Sequence, residues 1–490
     1  MFETAELGAK ISREEFDMAA GPLRLELLAL QEKLREADFP VLILFAGVNG
    51  AGKSESVNLL NEWLDPHWII TRAYEDPSQE ESERPTLWRY WRDLPKKGQI
   101  GLFLSGWYSR PVLDRVYRRA GKADFDRRLD DNLAFERLLA DDGALILKFW
   151  MHLDKKGQEK RLKALEADPL QSWRVQKEDW RNWKRYDKFL EAAEHSIRRT
   201  DLSHARWVIV DGSDPRYRSL TVLQQLRDAL KGHLARPKPR KAKPARISPV
   251  LESVLGKLDL SKHLDEKAYE AELQEARAEL ALLAQEAKQR GISSVALFEG
   301  WDAGGKGGAI RRITSALDAR QWQVVPVGAP TDEENAHHYL WRFWRHLPRA
   351  GHMLIYDRSW YGRVLVERVE GFARPREWQR AFAEINNFEE QLLHHGMVLA
   401  KFWLHISPEE QLRRFQERDA VAYKKWKLTN EDWRNRAKRD AYEAAVQEMV
   451  ERTSSLAAPW ILIEGNDKNF ARVKIIRSLC ERYRQRLARP

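Results

Sequence analysis

A single offset of 253 residues relates the two halves of this chain. The loop Gly47-Val48-Asn49-Gly50-Ala51-Gly52-Lys53-Ser54 returns as Gly300-Trp301-Asp302-Ala303-Gly304-Gly305-Lys306-Gly307. The tract Leu87 to Pro95 returns as Leu340 to Pro348, and Trp107-Tyr108 returns as Trp360-Tyr361. Lys148-Phe149-Trp150 matches Lys401-Phe402-Trp403, and Glu178-Asp179-Trp180 matches Glu431-Asp432-Trp433. One offset holds from residue 47 to residue 214, so no insertion separates the copies there. The chain is therefore expected to fold as two tandem copies of one domain, not as a short-period solenoid. The tract Arg236 to Arg246 carries six positive charges and recurrent prolines. Such a tract cannot form a helix interior and reads as an extended linker. The expected domains are 1–235 and 250–490, with the linker at 236–249.

Each copy reads as alternating strands and helices. A helical lead (Glu14 to Glu36, and Glu266 to Arg290) precedes an apolar run, Val41 to Ala46 or Ser294 to Glu299. In the second lead Leu273, Ala276, Leu280, Leu283 and Ala287 recur at helical spacing. His352 to Tyr356, Met397 to Leu404 and Trp460 to Ile463 read as short strands, with a helical stretch at Glu377 to Leu393. This alternation argues an α/β fold with a parallel sheet flanked by helices in each copy. Ligands of such sheets sit at the carboxyl ends of the strands.

Both glycine-rich loops fall there. A strand that feeds a glycine-rich turn and then a helix aims backbone N–H groups, a lysine and a partial positive charge at phosphate oxygens. In the second loop, Gly300, Ala303, Gly304, Gly305, Lys306 and Gly307 are the expected phosphate contacts. Gly307 stands where a P-loop ordinarily has a Ser or Thr whose hydroxyl reaches magnesium. Asp302 is the candidate substitute, because a carboxylate facing phosphates needs a cation between them. Asp357 ends an apolar run, the Walker B arrangement, and completes a metal pair with Asp302. Arg358 and Arg363 follow and could stabilise charge on a transferring phosphoryl group. Arg413, Arg414 and Arg418, with Lys424, Lys425 and Lys427, form a basic stretch. It is either a solvated helix face or a lid that closes over phosphates.

Composition narrows the class. The net charge of +10 favours polyanionic partners, although the linker holds much of the excess. The apolar runs are too short to cross a bilayer. The stretch Met1 to Lys10 lacks the basic flank and apolar core of a signal peptide, so a cytoplasmic protein without a membrane partner is expected. One cysteine, Cys480, excludes an internal disulfide and a cysteine zinc cluster.

The motifs at 300–308, 340–348, 357–363 and 464–468 resemble polyphosphate kinase family 2, over all of the second copy and, in eroded form, the first. The fusion of two copies resembles the subgroup of polyphosphate:AMP phosphotransferases. The resemblance implies thymidylate-kinase-like P-loop domains with a helical lid. It implies magnesium-dependent transfer of a terminal phosphoryl group from inorganic polyphosphate to AMP. It places the family's Walker A pair on Asp302 and Lys306 and its Walker B pair on Asp357 and Arg358. An acidic–basic pair falls on Glu367 and Arg368, and the lid lysines on Lys424 and Lys425. The alternatives are a polyphosphate-dependent ADP or GDP kinase, and an ATP-dependent nucleotide kinase. A nucleic-acid-binding protein would leave the carboxylates and loops unexplained. Oligomeric state stays open.

The constant offset also exposes losses in the first copy. Asn49 stands for Asp302, Leu104 for Asp357 and Ser105 for Arg358. Gln171 and Ser172 stand for Lys424 and Lys425, and Leu165 for Arg418. Without both carboxylates, a magnesium site of this geometry is lost. The first copy is thus expected to be catalytically inactive, serving as a scaffold or as a basic tether for the polymer.

Overall fold

The computed structural model describes residues 1–236, 253–420 and 429–489. The expected linker falls almost wholly outside these residues, and Lys424 and Lys425 lie outside them too.

Each copy builds one five-stranded parallel sheet. In the first, β1 (Val41–Gly47), β2 (Ile69–Ala73), β3 (Ile100–Leu104), β4 (Leu145–His152) and β5 (Trp207–Asp211) are arranged β2-β3-β1-β4-β5. In the second, β6 (Ser294–Gly300), β7 (Trp322–Pro326), β8 (Met353–Asp357), β9 (Val398–His405) and β10 (Trp460–Glu464) repeat that order. The central strands β1 and β6 are near-continuous apolar runs, as strands covered on both faces by helices must be. The helical leads appear at Arg13–Arg35 and Glu266–Gln289. The edge strands β2 and β7 escape the sequence reading because neither is a clean apolar run. Ile69–Ala73 contains Thr71 and Arg72, and Trp322–Pro326 contains Gln323.

The chain divides into two compact units. One comprises Met1–Pro77, Arg89–Pro239 and Asp332–His338; the other comprises Ser78–Trp88, Arg240–Thr331 and Tyr339–Pro490. Each unit thus takes in a short segment numbered within the other repeat, and residues 79–85 of the one are the equivalents of Asp332–His338 at the 253-residue offset. In the first unit the Lys97 amide donates to the Ala336 carbonyl at 2.9 Å. In the second, Arg84 donates to the Leu347 carbonyl at 2.8 Å, and Arg349 pairs with Glu83 at 2.7 Å. A cut at the linker would remove part of each unit.

Both units share one interior device. Lys148 in β4 is fully buried and donates to Glu136 at 2.8 Å and to the Thr200 carbonyl at 2.8 Å. Lys401 in β9 repeats this with Glu389 at 2.7 Å and the Thr453 carbonyl at 2.6 Å. A buried ammonium is tolerated only with such complete pairing. The tryptophans of the 340–344 tract, Trp341 and Trp344, are core residues.

Candidate active site

The second loop is shaped by close packing against β9. Gly300 has φ 145°, and a Cβ there would lie 2.4 Å from the Leu404 carbonyl oxygen, so no side chain fits. The turn then leads into the helix Lys306–Thr314. Lys306 donates to the Gly300 carbonyl at 2.7 Å, which holds its ammonium over the loop.

Asp302 is held from two sides. One carboxylate oxygen meets Arg358 at 3.3 Å, and the other accepts from the Asn435 amide at 2.9 Å. Asp357 ends β8, which pairs with β6 in the register Phe298↔Asp357, so both carboxylates emerge at the same edge of adjacent strands. Arg358 follows with φ 67°, a left-handed conformation that costs a residue with a side chain about 1–2 kcal/mol. The equivalent Ser105 keeps the same conformation at φ 54°, so the strain belongs to the turn both repeats share. Burial works against the Arg358 charge, but the carboxylates of Asp302, Glu299, Glu431 and Asp357 outweigh it and raise its pKa. One guanidinium therefore stands among four carboxylates. Among the described residues no group of three or more His, Cys, Asp or Glu side chains gathers for a metal. Two carboxylates facing a phosphate cradle suit a hard cation that takes its other ligands from phosphate oxygens and water.

Beside the loop lies a cavity of about 330 Å³, lined by Gly304, Gly305 and Gly308 together with Arg311, Arg418, Lys468 and Arg472. Arg418 is thus brought to the cradle. Arg414 also borders the cavity, but its guanidinium is buried and used by the protein. It bonds to Glu410 at 2.5 Å, to the Ala303 carbonyl at 2.9 Å and to the Gly465 carbonyl at 2.6 Å. It ties the loop to the end of β10. Arg363 pairs with Glu367 at 3.2 Å and lies 4.4 Å over the Tyr339 ring. Burial raises the pKa of Glu367, against the pull of Arg363. The charge of Arg368 is taken by Glu448 at 2.7 Å, and its guanidinium covers Trp378.

Several residues at the site escaped the sequence reading. Glu299, at the end of β6, is buried beneath the loop and accepts from the Ser359 hydroxyl at 2.8 Å. Burial raises its pKa, while Ser359, Lys306 and Arg358 oppose the shift. A carboxylate closing an apolar strand was the available signal. Asn435 lies two residues beyond the repeated Glu431-Asp432-Trp433, and its first-repeat equivalent is Asn182. Arg311 and Arg472 carry no spacing that separates them from solvated helix residues, whereas Lys468 closes the 464–468 motif without a role read for it.

The first repeat holds a different arrangement. Lys53 still donates to the Gly47 and Val48 carbonyls at 2.8 and 3.0 Å. Burial pushes its pKa down to about 8, with Asp179 and Glu55 opposing. Asn49 donates to Asp179 at 2.7 Å. The cavity around the loop is about 640 Å³ and is bordered by Glu75, Asp76, Glu178 and Asp179 against Lys53 and Arg174. Glu75 and Asp76 stand where the second repeat has Gly328 and Ala329. On the loop's other side, Asn58, Leu165, Pro215 and Ser219 replace Arg311, Arg418, Lys468 and Arg472. Glu55 replaces Gly308, and Arg218 replaces Ala471. The Arg218 guanidinium sits so close to the loop that a Cβ on Gly52 would fall 2.1 Å from it. Four carboxylates against two cations thus border the cavity of this cradle.

A parallel sheet, a glycine-rich loop with its lysine, and a carboxylate closing the adjacent strand define a P-loop phosphotransferase of the α/β class. The polyphosphate kinase 2 family matches residues 10–238 and 263–489, and the chain belongs to that family. It is 49% identical over 485 residues to the polyphosphate:AMP phosphotransferase of Pseudomonas aeruginosa, covering 98% of each chain. It is 46% identical over 494 residues to the protein of that name from Pseudomonas syringae pv. tomato, covering 100% of this chain and 99% of the relative. The crystal structure of a polyphosphate kinase 2 from Pseudomonas aeruginosa PA01 superposes with a TM-score of 0.89 at 46% identity, covering 100% and 99% of the two chains.

Proposed function

We propose that the second repeat transfers the terminal phosphoryl group of inorganic polyphosphate to AMP, giving ADP and a polymer one phosphate shorter. The observation that carries this reading is the row of cations beside the loop: Arg311, Arg418, Lys468 and Arg472 border one cavity with Gly304 and Gly305. A nucleoside triphosphate needs charge neutralised over three phosphates; four cations added to the loop's own lysine and amides fit a longer polyanion. The relatives that span the whole chain carry the name polyphosphate:AMP phosphotransferase.

In this reading Lys306 and the loop amides hold the terminal phosphoryl group and its neighbour. An oxygen of the AMP α-phosphate attacks the terminal phosphorus in line. The bond from that phosphorus to the bridging oxygen breaks, and the departing chain keeps the electron pair. Arg358 lies close enough to Asp302 to place positive charge beside the equatorial oxygens, where phosphoryl transfer needs it. Asp302 and Asp357 would hold magnesium, which neutralises phosphate charge when bound. Arg414 acts as a positioning residue through the Ala303 carbonyl, and Arg363 with Glu367 braces the turn after β8. Gly307 leaves the hydroxyl position empty, consistent with Asp302 serving in its place. Lys424 and Lys425 remain lid candidates by resemblance.

The test supplies AMP, ADP, GMP or GDP with either polyphosphate or ATP and follows the nucleotide products. ADP formed from AMP and polyphosphate is the expected result. Turnover with ATP alone would overturn the donor assignment, and preference for ADP would overturn the acceptor.

A further inference from the structure

The first repeat has lost cations at its cradle and gained them elsewhere. A cavity of about 390 Å³ opens between the helices Ser109–Val116, Lys122–Asp141 and Tyr186–Thr200. Arg115, Arg118, Lys122 and Lys188 border it, with Glu191 the one carboxylate among its lining residues. Among the described residues, none of these four cations has an ion-pair partner. The second repeat carries a different set of charges here. There Arg368, the equivalent of Arg115, is neutralised by Glu448 at 2.7 Å. In the first repeat His195 takes the place of Glu448, and its ring contacts Asp126 at 2.6 Å. Lys122 replaces Pro375 and Lys188 replaces Ala441. Arg118 replaces Gly371. Both adopt a left-handed backbone, φ 58° and 76°, so an arginine occupies a position that suits glycine. Three uncharged positions have become cations and one, Ala444, has become Glu191, while the carboxylate that neutralised Arg368 has gone.

We propose that this pocket binds a run of condensed phosphate and tethers the polyphosphate donor to the first repeat. The proposal rests on the donor assigned above. Four unpaired cations around one concavity suit a flexible anion with about one charge per monomer, and each cation engaged releases a counterion. Nucleic acid fits less well. Single strands are gripped by exposed rings on which bases stack; of the two rings lining this pocket Phe125 is buried and His195 is bonded to Asp126. A second attachment on the same chain raises the local concentration of polymer at the working cradle, provided the polymer is long enough to engage both.

The experiment uses full-length protein carrying Lys122→Glu with Lys188→Glu, both exposed and without bonding partners, and separately Glu191→Gln. Direct binding of long-chain polyphosphate is titrated across a salt series, and KM is measured with long-chain polyphosphate and with tetrapolyphosphate. The double variant should weaken long-chain binding and raise its KM by about tenfold, with a shallower salt slope and unchanged kcat. KM for tetrapolyphosphate should stay put, and Glu191→Gln should tighten long-chain binding. Equal long-chain binding by wild type and double variant would overturn the tether. So would single-stranded DNA competing as well as polyphosphate. The binding arm is read without turnover, so loss of the donor assignment and loss of the tether are separate outcomes.

Discussion

The two cradles have almost the same backbone and opposite surroundings. Both follow the central strand of an identically ordered sheet, and both hold a lysine against the first loop carbonyl. The first even has the more usual P-loop ending, Lys53-Ser54, where the second has Lys306-Gly307. Yet the second carries two carboxylates, an arginine where the first has Ser105, and a cation-lined cavity. In the first, acids and a plugging arginine have replaced them. The buried pairs Lys148–Glu136 and Lys401–Glu389 are meanwhile kept in near-identical form. Duplication preserved what folds the domain and let go of what surrounds the phosphate. A P-loop sequence therefore reports a fold, and the charges around it report an activity.

The comparison breaks most easily at the lysines. Lys306→Ala should lower kcat/KM by about 10³-fold or more, in line with removal of a key electrostatic group in phosphoryl transfer. Lys53→Ala should leave it within about twofold. Asp302→Asn, which installs the residue found at Asn49, should cost on the order of 10²-fold and raise the magnesium concentration needed for half-maximal rate. Comparable losses from Lys53→Ala and Lys306→Ala would mean that both cradles work.

The interior should show the reverse symmetry. Lys148→Met and Lys401→Met each leave a buried glutamate without its cation, a change worth about 3–5 kcal/mol. Denaturant unfolding should show similar losses for the two variants. A large loss in one repeat alone would show that the shared pair serves something besides folding.

Acid should separate the repeats again. His405 is buried and accepts from the Trp301 indole at 3.0 Å. Burial, with help from Arg439, pushes its pKa down to about 4. An unfolded histidine titrates near 6.5, so the unfolded state binds more protons between these values. Stability is complete above pH 6.5 and is lost as pH falls towards 4, by up to about 3 kcal/mol. His405→Gln keeps an acceptor for Trp301 and should flatten that slope. The equivalent His152 bonds to Glu6 at 2.9 Å and stacks on Phe2 at 4.8 Å, and Val48 stands at the position of Trp301. An unchanged acid slope in His405→Gln would remove His405 from the account.

The sequence carried the repeat, the α/β alternation and the central strands, because these rest on exact offsets and apolar runs. Asp302, Lys306 and Asp357 were legible for the same reason: each sits at a strand end or in a glycine turn. What stayed hidden depends on folding distant segments together. Arg414 reads as one more lid cation, but its guanidinium is enclosed by carbonyls from two loops. Arg472 reads as a solvated helix residue but borders the cradle. The short segments that cluster with the other repeat, Ser78–Trp88 and Asp332–His338, leave no trace in spacing, since the offset of 253 runs through both.

Glu299 offers the finest test of the comparison. Its first-repeat equivalent is Ala46, and that of its partner Ser359 is Gly106. The Ser359 hydroxyl donates to Glu299, and the same oxygen accepts from the Tyr361 amide, so the pair fixes the turn that carries Arg358. Glu299→Ala leaves that hydroxyl without its acceptor and frees the turn, and should lower kcat by about tenfold with little change in KM for AMP. Ser359→Gly should cost a similar amount. If the two act only through each other, the double variant should cost no more than either single one. Additive losses would instead assign Glu299 a separate role, as a buried carboxylate acting on Lys306 directly.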